Sequence, residues 1–454
     1  MKSKLELLKI TGGKPLKGEV QASGAKNAIT KLLVASLLSD KKCIFKNVPS
    51  IADVEITVSL CKEIGSNISW DKEKQILEIH TPEIKTSYVS QRFSGANRIP
   101  ILLLGALLGR TAEDVIVPTV GGDYLGSRPL DFHISSLRKL GAEVEYRSMH
   151  KEGAYFAQAH KGLKGTLLEL PYPSVGATEN AILAAVRAEG TTLIKNAAVE
   201  PEVQDLIMFL QKMGVTITTD AHRTIKIIGG SSFIEATHTV LCDRNEIASY
   251  ALAAISTKGH IFIKGAKQRL MIPFLGKLRE VGAGFKVEEK GISFFYEKPL
   301  KGGVHIETEV HPGFMTDWQQ PFVVLLTQCQ GTSVIHETVY EKRFGYTHIL
   351  REMGANVELF TSCLGNKPCR FSQSNHQHSL LVHGPTSLQA RNISIPDLRA
   401  GFAYVVAALL AKGTTSISNV TYLDRGYANL TEKLQHLGAD IKRVSLSAKS
   451  NALV

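Results

Sequence analysis

Residues 137–146 read LRKLGAEVEY, in which a leucine-containing helical end runs into Gly141 and then into alternating strand residues. The pattern recurs at LCKEIGSNISW (60–70), LQKMGVTITTD (210–220), LREVGAGFKVEE (278–289), LREMGANVELF (350–360) and LQHLGADIKRV (434–444). Each glycine stands where a helix ends in a left-handed backbone conformation, and a strand follows at once. Because these glycines are 68 to 84 residues apart, the chain is predicted to be built from repeated units.

A second pattern lies between the glycines: a helix of small and apolar residues, a turn, and a β-branched strand. Its copies are LLVASLLSDKKCIFKNV (32–48), LLLGALLGRTAEDVIVPTV (102–120), ILAAVRAEGTTLIKNAA (182–198), YALAAISTKGHIFIKGA (250–266), VVLLTQCQGTSVIHETV (323–339) and AALLAKGTTSISNV (407–420). Each unit is predicted to run helix, strand, helix, strand, strand, entered by one more strand. The first helix is apolar all round, so it should lie inside with sheets outside. The sequence therefore predicts an α/β fold of six repeats, in two domains of three.

The composition is that of an ordinary folded protein. The chain has 454 residues, is 44% hydrophobic and contains six cysteines, which disfavours disordered and disulfide-scaffold classes. The longest apolar run, residues 99–109, is shorter than the roughly 18 residues needed to cross a bilayer. The first residues, MKSKLELLKITGG, contain no apolar signal-peptide core. We expect a cytoplasmic protein with no membrane insertion.

The net charge of +11 indicates an anionic partner. Nucleic-acid-binding proteins usually gather Lys and Arg into blocks or stripes with aromatic residues between them. Here the basic residues are scattered, so nucleic acid is not expected as a partner. A site for an anionic small substrate is the favoured interpretation.

The predicted starts of the buried helices are candidate binding positions, because helix N-termini offer backbone N–H groups and partial positive charge. They read SGAKN (23–27), SGANR (94–98), SVGATEN (174–180), DRNE (243–246), MTDW (315–318) and PDLR (396–399). Lys26, Arg98 and Arg399 add positive charges, while Asp317 and Asp397 add carboxylates. For any one such position alone, a capped helix with a solvated charge is the favoured interpretation. Several together predict a basic cleft that contains a few acids.

Residues 117–133, VPTVGGDYLGSRPLDFH, form a glycine-rich segment that leads into a predicted helix. Glycine-rich loops beside a cleft are candidate lids. A surface turn would have a similar composition, so this segment alone does not decide between the two.

The widest gap between the repeat glycines contains a polar, turn-rich insertion at 359–379. Its Cys363, Cys369, His376 and His378 raise the question of a metal site. The cysteine spacing is wider than in usual zinc pairs, and histidines two apart point to opposite faces of a strand. A surface insertion without a metal is favoured, and we expect no cofactor.

These motifs resemble the UDP-N-acetylglucosamine enolpyruvyl transferase family. The matching stretches are GAKNA (24–28), GGDYLGSRP (121–129), SVGAT (174–178), NAA and EPE (196–198, 200–202), TD (316–317), ETVYEKRF (337–344), DLRA (397–400) and DRGY (424–427). The resemblance implies two inside-out α/β barrels of three units each, one at 22–240 and the other at 1–21 with 241–454. It also implies an enzyme that adds the sugar 3-hydroxyl of UDP-N-acetylglucosamine to phosphoenolpyruvate and releases phosphate, opening peptidoglycan precursor synthesis.

The resemblance further implies residue roles. Asp317 would accept the hydroxyl proton, Asp123 would donate a proton, and Asp397 would organise Lys26 or Arg399. The cations implied around phosphate and carboxylate are Lys26, Arg98, Arg128, Arg399 and Arg425, with Lys26 and Asn27 touching phosphoenolpyruvate. The implied nucleotide-sugar site is Arg128, Pro129, Leu130, Asp131, Phe132, Ser174, Val175 and Val339.

Two positions depart from the family pattern. Tyr172 stands where the family often has a lysine near the uridine, which puts the nucleotide affinity in question. Asp123 stands in the lid segment where most members carry a cysteine, the residue that the epoxide antibiotic fosfomycin alkylates. A carboxylic acid can still donate a proton when burial raises its pKa, but it is a poorer nucleophile than a thiolate. We therefore expect an active enzyme that fosfomycin does not alkylate.

Three other interpretations stay open. The shikimate-pathway enolpyruvyl transferase shares the implied fold and phosphoenolpyruvate. A non-catalytic paralogue would bind the UDP-sugar without releasing phosphate. Nucleic-acid binding would appear as a salt-sensitive shift of a labelled probe.

Overall fold

The structure is a computed structural model that describes residues 6–122, 129–149, 152–230, 232–366 and 369–445. The described chain divides into two compact units. The terminal unit contains residues 6–22 and the described residues from 243 onward, and the middle unit contains the described residues from 23 to 242. Asp123 and Arg128, to which roles were assigned above, lie outside the described residues.

The α-helices are, in chain order, α1 (Lys26–Ser36), α2 (Ala52–Ile64), α3 (Leu102–Leu107), α4 (Asp131–Lys139), α5 (Val175–Arg187), α6 (Pro201–Lys212), α7 (Arg244–Ser256), α8 (Ile272–Glu280), α9 (Thr316–Leu326), α10 (Thr347–Glu352), α11 (Leu398–Leu410), α12 (Thr421–Asp424) and α13 (Leu430–His436). Short 3-10 helices occupy Gln91–Phe93, Ile99–Ile101 and Gln268–Leu270. Five of the six predicted helix starts, near Lys26, Ser174, Asp243, Asp317 and Asp397, are confirmed within a residue or two. At the sixth, predicted at 94–98, a 3-10 helix comes first and the α-helix begins only at Leu102.

The strands are β1 (Glu6–Thr11), β2 (Lys17–Gln21), β3 (Cys43–Lys46), β4 (Asn67–Asp71), β5 (Ile76–His80), β6 (Val115–Pro118), β7 (Glu143–Met149), β8 (Glu152–Gln158), β9 (Leu167–Glu169), β10 (Thr191–Lys195), β11 (Thr216–Thr219), β12 (Ile225–Ile228), β13 (Ala236–Thr239), β14 (His260–Lys264), β15 (Gly284–Glu288), β16 (Gly291–Phe295), β17 (His305–Glu307), β18 (Gly331–His336), β19 (Asn356–Phe360), β20 (Ser379–Gly384), β21 (Asn392–Ser394), β22 (Thr414–Ser418) and β23 (Asp440–Ser445).

Six small sheets share one plan. In the terminal unit their orders are β2–β14–β16–β15, β17–β18–β20–β19 and β21–β22–β1–β23, and in the middle unit β13–β3–β5–β4, β9–β10–β12–β11 and β6–β8–β7. In each four-stranded sheet the first two strands are parallel and the other neighbours are antiparallel. The three-stranded sheet has a parallel bridge from Tyr88 to Ile116 where the others have their entering strand. The predicted sixfold α/β repeat is therefore confirmed, and among the described strands no sheet closes on itself.

Three sheets take a strand from a distant part of the chain. β13 pairs in parallel with β3, so Ala236 lies opposite Cys43. β1 pairs with β22 and β23, and β2 pairs with β14. These pairings explain why the residues before 23 belong to the same unit as the residues after 242.

The six repeat glycines end their helices as predicted. All have positive φ angles, between 78° for Gly282 and 129° for Gly65. A residue with a side chain is strained in this conformation. The glycine therefore recurs because each repeat needs a residue that can adopt a positive φ angle at the end of this helix.

The first helix of each repeat is the buried one. Every residue of α7 is buried, and Leu398–Leu409 of α11 are buried as well. In the terminal unit α7, α9 and α11 pack on one another, and in the middle unit α3 packs on α1 and α5. The second helices expose one face, as α4 does outside His133, Ser136 and Leu137. None of the described helices is long and apolar enough to span a bilayer.

Candidate active site

In the terminal unit, the Asp317 carboxylate lies between two guanidinium groups. Asp317 is the second residue of α9, and Arg399 is the second residue of α11. Arg343 Nη2 is 2.5 Å from Asp317 Oδ1, and Arg399 Nε is 3.0 Å from Oδ2. The arginine side chains are only 1% and 6% exposed. Both carboxylate oxygens therefore accept charge-assisted hydrogen bonds in a largely dehydrated position.

Arg399 is held in place by further contacts. Its Nη1 donates to the Tyr427 hydroxyl at 3.2 Å, and that hydroxyl is 3.1 Å from the Ser249 hydroxyl. Burial lowers the pKa of Arg399, but Tyr427, Asp317 and Asp243 outweigh burial and raise this pKa above its ordinary value. Arg399 is therefore a cation with a fixed orientation toward Asp317.

Asp397 is the N-cap residue of α11. Its Oδ1 accepts the backbone N–H groups of Arg399 at 2.9 Å and Ala400 at 3.1 Å. Asp243 caps α7 in the same way, accepting from Asn245 at 2.8 Å and Glu246 at 3.3 Å. Such caps satisfy N–H groups that a helix start leaves without partners. Asp397 thus orients Arg399 through the backbone at the start of α11.

Glu337 organises the loop that follows β18 and contains Val339 and Tyr340, called the Val339 loop below. Its Oε1 accepts the backbone N–H groups of Val339 at 2.8 Å and Tyr340 at 3.1 Å, and its Oε2 accepts the Thr316 hydroxyl at 2.9 Å. Burial raises the pKa of Glu337, while Arg343 and these hydrogen bonds oppose the increase. Because Thr316 precedes Asp317, one buried carboxyl group connects the Val339 loop to the start of α9.

In the middle unit, Lys26 is the first residue of α1 and is paired with Asp53 of α2. The Lys26 Nζ to Asp53 Oδ2 distance is 2.7 Å, and the two side chains are 12% and 4% exposed. Asn27 follows, and its backbone carbonyl accepts a hydrogen bond from Lys31 Nζ at 2.6 Å. An oriented ammonium group at a helix N-terminus is suited to binding an anion.

The starts of α4 and α5 meet in the same unit. Ser174 caps α5 by accepting the Ala177 N–H at 3.5 Å, and Val175 is the first helical residue. His133 in the first turn of α4 is buried, and its Nδ1 is 3.3 Å from Asn180 Nδ2 of α5. Burial, together with the charge of Arg98, lowers the pKa of His133 to about 3. A neutral His133 therefore joins the two helix starts, with Arg98 in electrostatic range.

The structure brings some of the predicted site residues together within each unit. Asp317, Arg399 and Asp397 form one connected group, and Val339 joins it through Glu337. Asp131 and Phe132 begin α4, after Leu130, which is buried, and Pro129, which is exposed. Arg425 follows α12 and is partly exposed.

Four residues of these groups, three in the terminal unit and one in the middle unit, had no role in the sequence-based predictions. Arg343 and Glu337 lie inside the stretch ETVYEKRF, and Tyr427 inside DRGY, but nothing in their spacing connects them to Asp317. Asp53, the partner of Lys26, lies in the second helix of its repeat. The one sequence signal that could have found these residues is a charged side chain in an otherwise apolar helix start or loop. Only the tertiary structure identifies which charges are buried together.

Residues 10–434 match the family described as EPSP synthase (3-phosphoshikimate 1-carboxyvinyltransferase). The chain therefore belongs to this family of carboxyvinyltransferases. Among the curated relatives, a UDP-N-acetylglucosamine 1-carboxyvinyltransferase of Protochlamydia amoebophila is 62% identical over 440 residues, which are 97% of this chain and 95% of the relative. The protein of the same name from Chlamydia trachomatis serovar D is 56% identical, over 96% of this chain and 97% of the relative. UDP-N-acetylglucosamine 1-carboxyvinyltransferase 1 of Staphylococcus aureus strain MRSA252 is 37% identical, over 97% of this chain and 100% of the relative.

Two solved structures have the same fold. The enolpyruvyl transferase NikO of Streptomyces tendae aligns with a TM-score of 0.85 at 22% identity, covering 98% of this chain and all of NikO. EPSP synthase of Acinetobacter baumannii aligns with a TM-score of 0.73 at 17% identity, covering 97% of this chain and all of that structure. Together with the relatives, these matches confirm the resemblance and the fold class predicted from the sequence.

Proposed function

We propose that this protein transfers the enolpyruvyl group of phosphoenolpyruvate to the 3-hydroxyl of UDP-N-acetylglucosamine and releases inorganic phosphate. The observation that carries the proposal is the 62% identity, over 440 residues, to a relative named for this transfer. The partly buried Asp317 carboxylate between Arg343 and Arg399 supports it, because an alcohol-activating site for anionic substrates requires a carboxylate base held among cations.

The reaction has two steps. The sugar 3-oxygen bonds to C2 of phosphoenolpyruvate while C3 takes up a proton, which gives a tetrahedral adduct that still carries phosphate. Loss of a proton from C3 and of phosphate from C2 then restores the double bond. The protein must supply a base for the hydroxyl, an acid for C3, and positive charge for phosphate and carboxylate.

Asp317 is the proposed base. An ionised carboxylate offers about four lone-pair positions, more than two guanidinium bonds use, so a hydroxyl can still approach it. Arg343 and Arg399 fix its orientation and stabilise the charge of the anionic substrates.

The remaining cations are assigned to the anionic groups of the substrates. Lys26, Arg98, Arg128 and Arg425 would bind phosphate and carboxylate, with Asn27 beside Lys26. Asp123 would donate the proton to C3. Asp397 acts in this proposal by holding the start of α11, and Asp53 by orienting Lys26.

The nucleotide sugar is assigned to residues at helix starts and in the Val339 loop. They are Arg128, Pro129, Leu130, Asp131, Phe132, Ser174, Val175 and Val339. Tyr172, two residues before Ser174, replaces the lysine frequent in the family, so uridine binding here does not use an ammonium group at this position. We place the reaction in the cytoplasm, as the opening step of peptidoglycan precursor synthesis and hence of cell-wall growth and division. In this proposal residues 22–240 form one domain of the protein, and residues 1–21 plus 241–454 form the other.

The test is phosphate release by the full-length protein with phosphoenolpyruvate and UDP-N-acetylglucosamine. We expect Asp317→Asn to lower kcat by at least about 100-fold, whereas Asp71→Asn, an exposed control, should retain activity within about two-fold. Phosphate release with shikimate 3-phosphate in place of the sugar nucleotide would instead favour the shikimate-type reaction. Binding of the sugar nucleotide without phosphate release would identify a non-catalytic paralogue.

The proposal for Asp123 has its own test. Wild-type protein incubated with fosfomycin should keep its mass and activity, and Asp123→Cys should gain a covalent adduct and lose activity. An Asp123→Cys variant that stays resistant would contradict the proposal. Full activity of Asp123→Asn would show that Asp123 is not the proton donor.

A further inference from the structure

Four side chains of the terminal unit converge at the end of β18, in a place to which no role has been assigned. They are His336, Cys363, Cys369 and His378. One nitrogen or sulfur atom of each lies within 4.8 Å of the corresponding atoms of the other three. Over the described part of the chain, this is the one group of three or more histidine, cysteine or acidic side chains close enough to share an ion.

Both the repeat sheet and the insertion contribute to this cluster. His336 is the last residue of β18 and lies opposite Ser379 in β20. His378 directly precedes β20, and its backbone is held by hydrogen bonds to Phe360 at 3.0 Å and Glu337 at 2.8 Å. Cys363 and Cys369 come from the insertion. The sheet register therefore sets the two histidines side by side, and the insertion brings two sulfur atoms to them.

Three members of the cluster are buried, Cys363 is partly buried, and one member lacks hydrogen-bond partners. His336 and His378 are fully buried, and Cys369 is 9% exposed. Neither ring nitrogen of His336 has a hydrogen-bond partner, although both are inaccessible to solvent. A buried donor or acceptor left unpaired destabilises a protein by about 1–3 kcal/mol. An unsatisfied imidazole beside two thiols indicates a bound ligand that accepts its lone pair.

The other members are oriented as metal ligands. His378 Nδ1 is 2.7 Å from the carbonyl oxygen of His376, so Nδ1–H donates there and the Nε2 lone pair faces Cys363 Sγ at 3.3 Å. A backbone carbonyl on the second ring nitrogen is the usual support of a metal-binding histidine. The Phe371 N–H donates to Cys369 Sγ at 3.3 Å, which stabilises a thiolate at that position.

We infer that His336, Cys363, Cys369 and His378 bind a structural Zn²⁺ ion. Two cysteine thiolates and two neutral histidines form the donor set that zinc prefers in closed, tetrahedral sites. Donor atoms on tetrahedral zinc are about 3.3 to 3.8 Å apart, so the cluster needs a contraction on the order of 1 Å. Binding releases one proton from each thiol, and the two thiolate charges balance the dication.

The proposed ion would fix the insertion next to the Val339 loop. Arg370, which follows Cys369, donates to the Val339 carbonyl oxygen, and Glu337, which follows His336, accepts the Val339 N–H. Both contacts lie one residue away from a proposed ligand. An effect of zinc loss on the KM for the nucleotide sugar follows only if Val339 binds that substrate, so this effect rests on the proposed function. The metal site itself does not depend on the proposed function.

Gly365 offers a variant that keeps all four ligands. A Cβ atom at this position would lie 1.9 Å from His336 Nδ1. Because this distance is far below van der Waals contact, Gly365→Ala must displace the imidazole ring or the insertion backbone. The variant therefore tests the geometry of the site without removing a donor atom.

The deciding experiment is the metal content of the purified full-length protein by plasma mass spectrometry, after expression with Zn²⁺ and extensive dialysis. We expect about one zinc per chain in the wild type, and an at least five-fold lower content in Cys363→Ser, Cys369→Ser and Gly365→Ala. Two matched controls should keep the zinc. These are His376→Gln, which changes the insertion histidine outside the cluster, and Cys329→Ala, which removes a buried thiol of the same unit.

The wild-type measurement keeps the test independent of whether the variants fold. Folded wild-type protein without zinc, whose Cys363 and Cys369 either react as free thiols or form a disulfide, would overturn the proposal. Zinc that survives in Cys369→Ser and Gly365→Ala would overturn the ligand assignment. Replacement of zinc by Co²⁺ should produce the intense visible absorption of a tetrahedral thiolate site, and an octahedral spectrum would contradict the proposed geometry. All of these readings are independent of phosphate release, so a failure of the proposed enzymatic function would be recognised separately.

Discussion

Arg343 is the residue whose importance depends most on the tertiary structure. Its side chain is 1% exposed, donates to Asp317 and lies over the Tyr340 ring at 5.6 Å. Burial lowers the pKa of Arg343, but the carboxylates of Asp317, Asp397 and Glu337 outweigh burial and raise this pKa above its usual value. The residue is therefore a permanent cation that orients the proposed base.

We predict that Arg343→Lys lowers kcat by about 100-fold, because lysine keeps the charge but cannot reproduce the planar donor geometry. The measurement is steady-state phosphate release with both substrates, with the exposed Arg391→Lys as the control, which should stay within about two-fold. A variant with unchanged kcat would show that Arg343 balances charge without orienting Asp317.

Glu179 in α5 should make the stability of the protein depend on pH. It is fully buried, and Lys31 Nζ is 3.7 Å away, too far for a hydrogen bond. Burial raises the pKa of Glu179 from 4.5 to about 7, against the opposing charge of Lys31. Between these two values the folded state holds a proton that the unfolded state has released, so stability falls as pH rises through this window.

We predict that Glu179→Gln removes this loss of stability with rising pH. Relative to the wild type, the variant should gain on the order of 2 kcal/mol between about pH 4.5 and 7.5 in the free energy of unfolding measured by urea denaturation. Glu73→Gln, at an exposed turn, should leave the wild-type pH dependence unchanged. Parallel pH curves for the wild type and Glu179→Gln would mean that Glu179 is ionised in the folded protein.

At the scale of elements, the repeat glycines and an ordinary helix glycine should respond in opposite directions to the same substitution. Gly438 ends α13 with a φ angle of 91°, and a Cβ atom there would meet nothing within 4 Å. Gly276 lies inside α8, is exposed and is equally unobstructed. The only difference that matters is the backbone conformation.

We predict that Gly438→Ala destabilises the protein by about 1–2 kcal/mol and that Gly276→Ala stabilises it by about 0.5–1 kcal/mol. Urea unfolding monitored by circular dichroism measures both. A stabilising Gly438→Ala would show that the glycines ending the helices are not required for their backbone conformation.

Element positions were largely predictable, whereas contacts between elements were not. The periodic glycines and apolar helices determine where α1, α5, α7, α9 and α11 begin, because both signals are local. The pairing of His336 with His378 depends on the register between β18 and β20, which no local pattern specifies. The sequence-based search for a metal site therefore considered His376, which lies outside the cluster, and did not include His336.

At the scale of the whole molecule, the sixfold repeat explains both the length of the chain and the distribution of its reactive groups. Each repeat buries one helix, and several of these helices carry charged residues in the first turn. The charged residues near the helix starts therefore come from sequence positions far apart. The net charge of +11 predicted an anionic partner, and the structure shows three cations that carboxylates orient: the buried Arg343 and Arg399 and the partly buried Lys26. The sequence predicted two of these three, because Arg343 comes from a loop after β18 and not from a helix start.

The most direct test of the proposed function is the structure of the reaction product. Full-length protein should be incubated with UDP-N-acetylglucosamine and phosphoenolpyruvate labelled with ¹³C at C2, and the product examined by proton–carbon correlation NMR. We predict a labelled enolpyruvyl carbon coupled to the proton on the sugar carbon that bears the 3-oxygen, with one phosphate released per label transferred. Coupling to a different sugar position, or phosphate release without a labelled sugar nucleotide, would contradict the proposed function.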